Sequence, residues 1–457
     1  MAVVKNEKMN AICAISTPYG SGGIAVVRVS GEESIMIVDR LFRGRKPLAE
    51  ARAYTVHYGE IRRQSKEAQG EEVLDQVLIS VFRAPHSFTG EDVVEIACHG
   101  SLYIQQTLLQ WLVDEGCKLA KAGEFTQRAF LNGKMDLTEA EAVADLIAAQ
   151  TKAEKDLALT QLRGGISQEL AILRDRLLTF TSLVELELDF ADHEELEFAD
   201  RSQLEALAHE IHNKISGLVG SFKTGNAIKQ GIPVAIIGAP NVGKSTLLNA
   251  LLGEERAIVS DIQGTTRDTI EDTLVLGGML FRFIDTAGMR ITADTIENMG
   301  IERSRQAAQR ATIIIHLQDA TSPIDTISDI EHIEDKLILQ VYNKVDLLPS
   351  FELNEDIIAI SAKNGDIESI KNQLVTYANE QYNMRNAVTI SNTRHYEALV
   401  RALEAIQRVQ EGLQQQISGE FLSMDLQDCL GALGEITGQI TSQEVLNNIF
   451  SKFCIGK

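Results

Sequence analysis

The eight residues GAPNVGKS, Gly238 to Ser245, have the types and spacing needed to hold a polyphosphate. The glycines let backbone N–H groups of Asn241, Val242, Gly243 and Thr246 wrap the phosphates. Lys244 brings a cation to the β- and γ-phosphates, where it also acts in catalysis, and the Ser245 hydroxyl suits Mg²⁺. DTAG, Asp285 to Gly288, offers the backbone of Thr286 and Ala287 to a γ-phosphate. In NKVD, the segment Asn343, Lys344 and Asp346 presents a carboxylate that can accept from both guanine edge donors. Adenine lacks that pair and would leave a buried carboxylate unpaired. Ser361, Ala362 and Lys363 of SAKNG form the second guanine-side loop. GTTRD lies between the first motif and DTAG, where a mobile switch belongs, and its Thr266 is placed to join Ser245 on Mg²⁺. Four motifs in this order specify a guanine-nucleotide site.

One residue type is missing. Many GTP-hydrolysing switches carry glutamine after Asp-x-x-Gly, where it orients the attacking water. Here Met289 follows DTAG, and a thioether can do neither task. Glu297 in ENMG, twelve residues beyond Asp285, is the candidate for orienting water, with Asp294 on the same segment as its competitor. A cation between the phosphates could supply the remaining charge. Asn241 offers a side-chain oxygen, and SDIQGTT, Ser260 to Thr266, could close over it with backbone carbonyls, a ligand set suited to K⁺.

These residues need elements to hold them. VAII is a buried strand running into the glycine loop, and STLLNALLG is the helix that follows. FRFI precedes DTAG, LILQVY precedes NKVD and IIAI precedes SAKNG. Upstream, GIAVVRVSG, AYTVHYGEI, LDQVLISVFRA and DVVEIACHG are strand-like, while GEESIMIVDRLF and SLYIQQTLLQWLVDEG are helical. From Glu124 to about Ser221 the pattern is almost pure helix, and it is helical again from SNTRHYEALV to the end. The expected fold class is α/β and multidomain. It comprises a small N-terminal α/β domain (1–122), a helical domain in two segments (123–222 and 382–457) and an inserted Ras-like P-loop GTPase domain (223–381). Insertion follows because the last segment alone would make a marginal core.

Composition sets outer limits. The 457-residue chain carries a formal charge of −22, which argues against broad nucleic-acid binding but leaves room for a local basic site. No apolar run approaches the ~18–20 residues of a membrane span, and the opening is interrupted by Lys5, Glu7 and Lys8. Five scattered cysteines are no disulfide framework, so a cytoplasmic protein is expected. The acidic run 184–200 lacks ligand spacing and reads as a solvated helix end. Cys454 in the terminal CIGK is no prenylation site, because the second aliphatic residue is missing.

GAPNVGKSTLLNALLG, VSDIQGTTRD, DTAGMR and NKVD resemble the TrmE/Era branch of translation-associated GTPases. FTGEDVVEIACHG, AKAGEFTQRAFLNGKMDLTEAEAVADLI and the terminal FCIGK resemble the MnmE (TrmE) family of tRNA-modification GTPases, and the likeness runs from about Thr17 to Lys457. The resemblance implies an N-terminal domain that binds tetrahydrofolate and mediates homodimerisation. It implies a flavoprotein partner of the MnmG (GidA) type, carrying FAD and joined in a heterotetramer, and a tRNA substrate. The implied product is an aminomethyl or carboxymethylaminomethyl group on the wobble uridine C5. Its one-carbon unit would come from 5-formyl- or 5,10-methylene-tetrahydrofolate. Position by position, the resemblance assigns folate contacts to Arg28, Glu95, Lys134 and Lys457. Such types suit a pterin, which donates to a carboxylate, and a glutamyl tail, which accepts from Arg and Lys. Cys454 reads by itself as a packed cysteine; near a one-carbon site it could be a thiolate nucleophile or simply hold the tail in place. The family's K⁺-activated relatives assign the cation to Asn241 and to the carbonyls of Ser260, Ile262 and Thr265.

A ribosome-assembly GTPase switch without covalent RNA chemistry is the alternative reading, and a purely structural GTP-regulated scaffold is a third. The first alternative expects a basic RNA module such as KH beside the GTPase domain, which the sequence lacks. Asp346→Asn should move nucleotide preference from GTP toward XTP, measured by competition binding; unimproved XTP binding would remove Asp346 as the base reader.

Overall fold

The computed structural model describes residues 10–64, 70–189, 201–254, 272–284, 305–323, 335–348, 357–382, 388–454 and 456. The chain forms two compact units, Met1–Ala144 with Gly434–Lys457, and Asp145–Leu433.

The first unit is built on a seven-stranded sheet. Its elements are β1 (Ile12–Ile15), β2 (Gly22–Ser30), α1 (Ser34–Leu41), β3 (Phe42–Gly44), β4 (Thr55–Gln64), β5 (Glu71–Phe82) and β6 (Val93–Gly100), followed by α2 (Leu102–Asp114) and β7 (Lys118–Leu119). The strand order is β3-β4-β5-β6-β2-β1-β7. All pairings are antiparallel except β1 with β7. Alternation along β2 and β6 sends Val27, Val29, Val94 and Ile96 into a core shared with Ile37, Leu108 and Trp111 of the two helices. The same period of two leaves Arg28 and Glu95 on the opposite face. There a smaller cluster forms from Ile12, Ala14, Ala120 and Phe125, with Phe88 against it. Helices α3 (Glu124–Leu131) and α4 (Leu137–Ala148) follow.

The second unit continues with α5 (Lys152–Leu162), α6 (Gly165–Asp189) and α7 (Arg201–Gln230). Helix α7 passes residues 222 and 223 unbroken, so the expected division between helical and nucleotide domains falls inside a helix. The sheet begins at β8 (Ile232–Ile237) and is followed by α8 (Lys244–Glu254), β9 (Asp272–Leu276), β10 (Met279–Phe283), β11 (Ile313–Asp319), β12 (Leu337–Asn343), β13 (Ile358–Ala359) and α9 (Glu368–Gln381). Strand order β13-β12-β11-β8-β10-β9 is parallel apart from β9. The chain leaves β8 toward one edge and later returns to its other side, which makes the end of β8 the place where a ligand sits in such sheets. Helix α10 (Thr393–Gln414) packs its Ala398, Ala402, Ala405 and Val409 stripe inward, and its Tyr396 stacks on Phe222 of α7 at 4.3 Å. The helical domain is thus assembled from segments on both sides of the nucleotide domain. The acidic run starts at the end of α6, and residues 190–200 of it lie outside the described residues.

After α11 (Gly419–Thr437), the last helix α12 (Gln443–Ser451) belongs to the first unit. Its Leu446 and Phe450 pack on Leu137 and Ala140. Periodicity alone groups residues 434–457 with the helical domain, because it shows an apolar face without showing what covers it. Among the described residues, no helix is long and apolar enough to cross a membrane.

Two glycines of α7 give opposite expectations. A Cβ on Gly225 would stand 2.2 Å from the Ile390 carbonyl oxygen, whereas one on Gly220 would meet nothing within 4 Å. Helix propensity favours alanine at both sites by about 1 kcal/mol. Thermal unfolding should therefore show Gly220→Ala raising the midpoint. Gly225→Ala should lower stability by about 1–3 kcal/mol, as overpacking does. A stabilised Gly225→Ala protein would contradict this packing.

Candidate functional site

Backbone geometry shapes the nucleotide loop. Gly238 has φ +153° and Gly243 φ +102°, and a Cβ on them would lie 2.1 Å from the Leu317 carbonyl oxygen and 2.3 Å from Asn343 Nδ2. Side chains are excluded at both points, which leaves a cradle lined by backbone. Asn241 sits in the left-handed region at φ +63° and is exposed. Val242 closes the loop from beneath, buried in the core with Leu247 and Leu251 of α8. Helix α8 begins at Lys244 and directs its free N–H groups and the positive end of its dipole at the cradle. Ser245 and Thr246 are exposed on its first turn.

Lys244 Nζ donates to the carbonyls of Gly238 at 2.7 Å and Ala239 at 2.8 Å. Burial pushes its ammonium below the usual lysine range. A desolvated cation at a helix N-terminus fits a polyphosphate, whose charge would offset that desolvation.

Asn343 joins two loops. Its amide donates to the Val242 carbonyl at 2.8 Å, and its oxygen accepts the Ala362 N–H at 3.0 Å. Lys344, at φ +69°, donates to the Asn241 carbonyl at 2.9 Å and pairs with Asp319 at 2.6 Å. Ser361 donates its hydroxyl to Asp346 at 2.6 Å, steadying one oxygen of an otherwise exposed carboxylate. Lys363 is exposed on the same loop. The fold therefore brings Asn241, Val242, Gly243, Lys244, Asn343, Lys344, Asp346, Ser361 and Ala362 into one loop cluster. Ser260, Ile262, Thr265, Thr266, Asp285, Thr286, Ala287, Gly288, Glu297 and Lys457 lie outside the described residues. Sequence reasoning missed Asp319, whose only signal was its place at the end of β11, directly before a turn.

The first unit holds a second constellation. Arg28 and Glu95 face each other across β2 and β6, with Nε at 2.9 Å and Nη2 at 2.8 Å from one carboxylate oxygen. The guanidinium lies over the rings of Phe88 at 5.5 Å and Phe125 at 5.6 Å. Lys134 donates to the Pro85 carbonyl at 3.0 Å. The C-terminal tail reaches the same unit: Ser16 donates to the Gly456 carbonyl at 3.1 Å, and the Gly123 N–H bonds the Cys454 carbonyl at 3.4 Å. The Cys454 side chain is exposed. Behind Phe125, buried Arg128 is held by Glu91, Glu124 and the Asn10 carbonyl, which fixes α3 to the sheet. Aromatic faces beside a guanidinium–carboxylate pair fit a pterin, which can stack and donate at once.

Comparison with known proteins covers nearly the whole chain. The family model described as GTP-binding protein TrmE N-terminus matches residues 11–134, and that of the MnmE helical domain matches residues 137–454. The protein of Parabacteroides distasonis named tRNA modification GTPase MnmE is 53% identical, over 98% of this chain and 100% of that one. Its namesakes in Bacteroides fragilis and Flavobacterium johnsoniae are 52% and 48% identical, each over 98% of this chain and 99% of its own length. A nucleotide-gripping loop cluster and full-length similarity lead to one conclusion: this chain belongs to the MnmE (TrmE) family of tRNA-modification GTPases.

Proposed function

We propose that the chain hydrolyses GTP, with Mg²⁺ and K⁺, to drive formation of an aminomethyl or carboxymethylaminomethyl group on the wobble uridine of tRNA. It does so as a cytoplasmic homodimer, in a heterotetramer with an MnmG-type flavoprotein that carries FAD. A reduced folate, when bound, supplies the one-carbon unit. The observation that carries this reading is the Arg28–Glu95 pair on the aromatic-lined face of the N-terminal sheet, because a plain GTP switch has no use for such a pair.

In this reading Glu95 orients the pterin edge, while Arg28 and Lys134 hold anionic or carbonyl groups of the folate. Lys457 and Cys454 complete the pocket from the tail. In the nucleotide domain Lys244 neutralises the phosphates, and Ser245 and Thr266 hold Mg²⁺. Thr286, Ala287 and Gly288 of DTAG meet the γ-phosphate. Asp346 reads guanine, with Ser361 and Lys363 beside it. Asn241, with Ser260, Ile262 and Thr265, holds K⁺, so Met289 needs no catalytic part, and Glu297 orients the water. The domain division 1–122, 123–222, 223–381 and 382–457 belongs to the same proposal.

Calorimetry with 5-formyltetrahydrofolate is expected to show saturable binding that weakens when residues 454–457 are removed, with GTP affinity unchanged. Equal folate binding after truncation would remove Lys457 and Cys454 from the site, and no folate binding at all would sink the one-carbon reading. Hydrolysis should be fast in KCl and near background in NaCl at matched ionic strength. Equal rates in the two salts, or full K⁺ activation in Asn241→Ala, would instead require an arginine for the work, worth ~10³–10⁵ in rate where one acts in trans.

A further inference from the structure

The first unit carries a basic loop on an otherwise acidic protein. In RLFRGRKPLAEAR, residues 40–52, five side chains are basic and one is acidic, against −22 for the whole chain. Two of the five are partly neutralised, since Arg40 pairs with Glu115 at 3.4 Å and Arg43 with Glu71 at 3.7 Å. Arg45, Lys46 and Arg52 are exposed and enter no ion pair among the described residues.

The loop holding them is not slack. Leu48 is fully buried, and its N–H donates to Asp39 at 2.5 Å. Arg83 clamps the chain from the other side, donating to the carbonyls of Ala51 at 3.1 Å and Ala49 at 2.8 Å. The three unpaired cations therefore project from a fixed backbone. Protection of a sheet edge accounts for Arg43, which lies on the edge strand β3, but not for cations beyond that strand.

A second observation lies two residues along the chain from Arg52. Tyr54 takes the left-handed conformation at φ +61°, unusual for an aromatic residue, and is 67% exposed. Its hydroxyl donates to the His86 carbonyl at 2.8 Å, and its ring meets Phe82 edge-on at 5.9 Å. The phenol is thus locked at its tip with a ring face open to solvent, two residues from Arg52. Fixed cations beside an open aromatic face are the equipment for holding a phosphodiester backbone and stacking an unpaired base.

We infer that Arg45, Lys46, Arg52 and Tyr54 form an RNA-binding site of the N-terminal domain that contacts the tRNA backbone and one unpaired base. The inference rests on the tRNA-modifying reading of the chain. Each phosphate neutralised adds about 0.7–0.9 to the slope of log affinity against log salt. The full-length chain is titrated with an unmodified tRNA transcript between about 50 and 200 mM salt. The triple variant Arg45→Gln/Lys46→Gln/Arg52→Gln should lower that slope by about 2 and weaken binding roughly tenfold. Tyr54→Ala should weaken binding by a similar factor with the slope unchanged, because stacking releases no counterions. Arg45→Lys/Arg52→Lys should bind as the parent does, and GTP hydrolysis should be the same in all. An unchanged slope and affinity in the triple variant, as expected if an acidic protein occupies the loop instead, overturns the proposal. So does loss of binding in the lysine version. The titration reads RNA binding alone, so a failure of folate binding or of K⁺ activation would not register in it.

Discussion

The nucleotide site depends on a single buried amide. Asn343 is 3% exposed and meets the Val242 carbonyl with its nitrogen and the Ala362 N–H with its oxygen. Only a side chain with donor and acceptor on one carbon can bridge a loop that presents C=O and a loop that presents N–H. Buried groups that lose such a partner cost about 1–3 kcal/mol each. The phosphate-gripping and base-reading loops are therefore not independent. Gly243 shows the same constraint from the other side, because any side chain there would collide with that amide. Lys344 repeats the link at the surface by tying the Asn241 carbonyl to Asp319.

The N-terminal site follows a different logic. Arg28 and Glu95 stand on neighbouring strands in direct register, so their spacing is set by the sheet ladder and not by loop hydrogen bonds. The pair is partly exposed, with side-chain accessibilities of 19% and 29%, and solvent screening leaves it little weight in stability. Buried Arg128 is the structural cation: with Glu91 and Glu124 it holds Phe125 beneath the Arg28 guanidinium. One arginine is built in, and the other is left available to a ligand.

Much of this was legible in the sequence. The nucleotide loops were, because each motif needs a strand before it and the strands LILQVY and VAII are apolar runs that only a covered sheet accepts. β1, β3 and β7 are too short for alternation to mark them, being only four, three and two residues long. Their pairing is dictated by neighbours distant in sequence, as when Cys13 meets Leu119. Periodicity marks α12 as helix but not its partners, since an apolar stripe of Leu446 and Phe450 fits any complementary face. Nor could periodicity end the helical domain at residue 222, because α7 keeps its pattern until Gly231. Arg28 and Glu95 look like ordinary strand residues until register sets them opposite one another. The family resemblance, not the residue types, singled them out.

The junction at Gly231 shows how the helical domain is joined to the catalytic one. Helix α7 has 30 residues, roughly 45 Å at ~1.5 Å per residue, and hands the chain to β8 through Gly231 alone, at φ +82°. β8 is paired on both sides, by β10 and β11, so it cannot bend independently of the sheet. The β9–β10 hairpin turns on Gly277 and Gly278, both at positive φ, as a two-residue turn of this hand requires. That turn is anchored outside the sheet as well: the Gly278 carbonyl accepts the Ala153 N–H of α5 at 3.3 Å. The strand leading to DTAG and the strand leading to the P-loop are thus both tied to helices of the helical domain, one covalently and one by a backbone hydrogen bond. A rigid-body change at either nucleotide loop must be absorbed at Gly231 and at this turn, or else be passed into α5 and α7. Those are the helices whose packing against α10 and the 388–392 segment holds the two halves of the helical domain together.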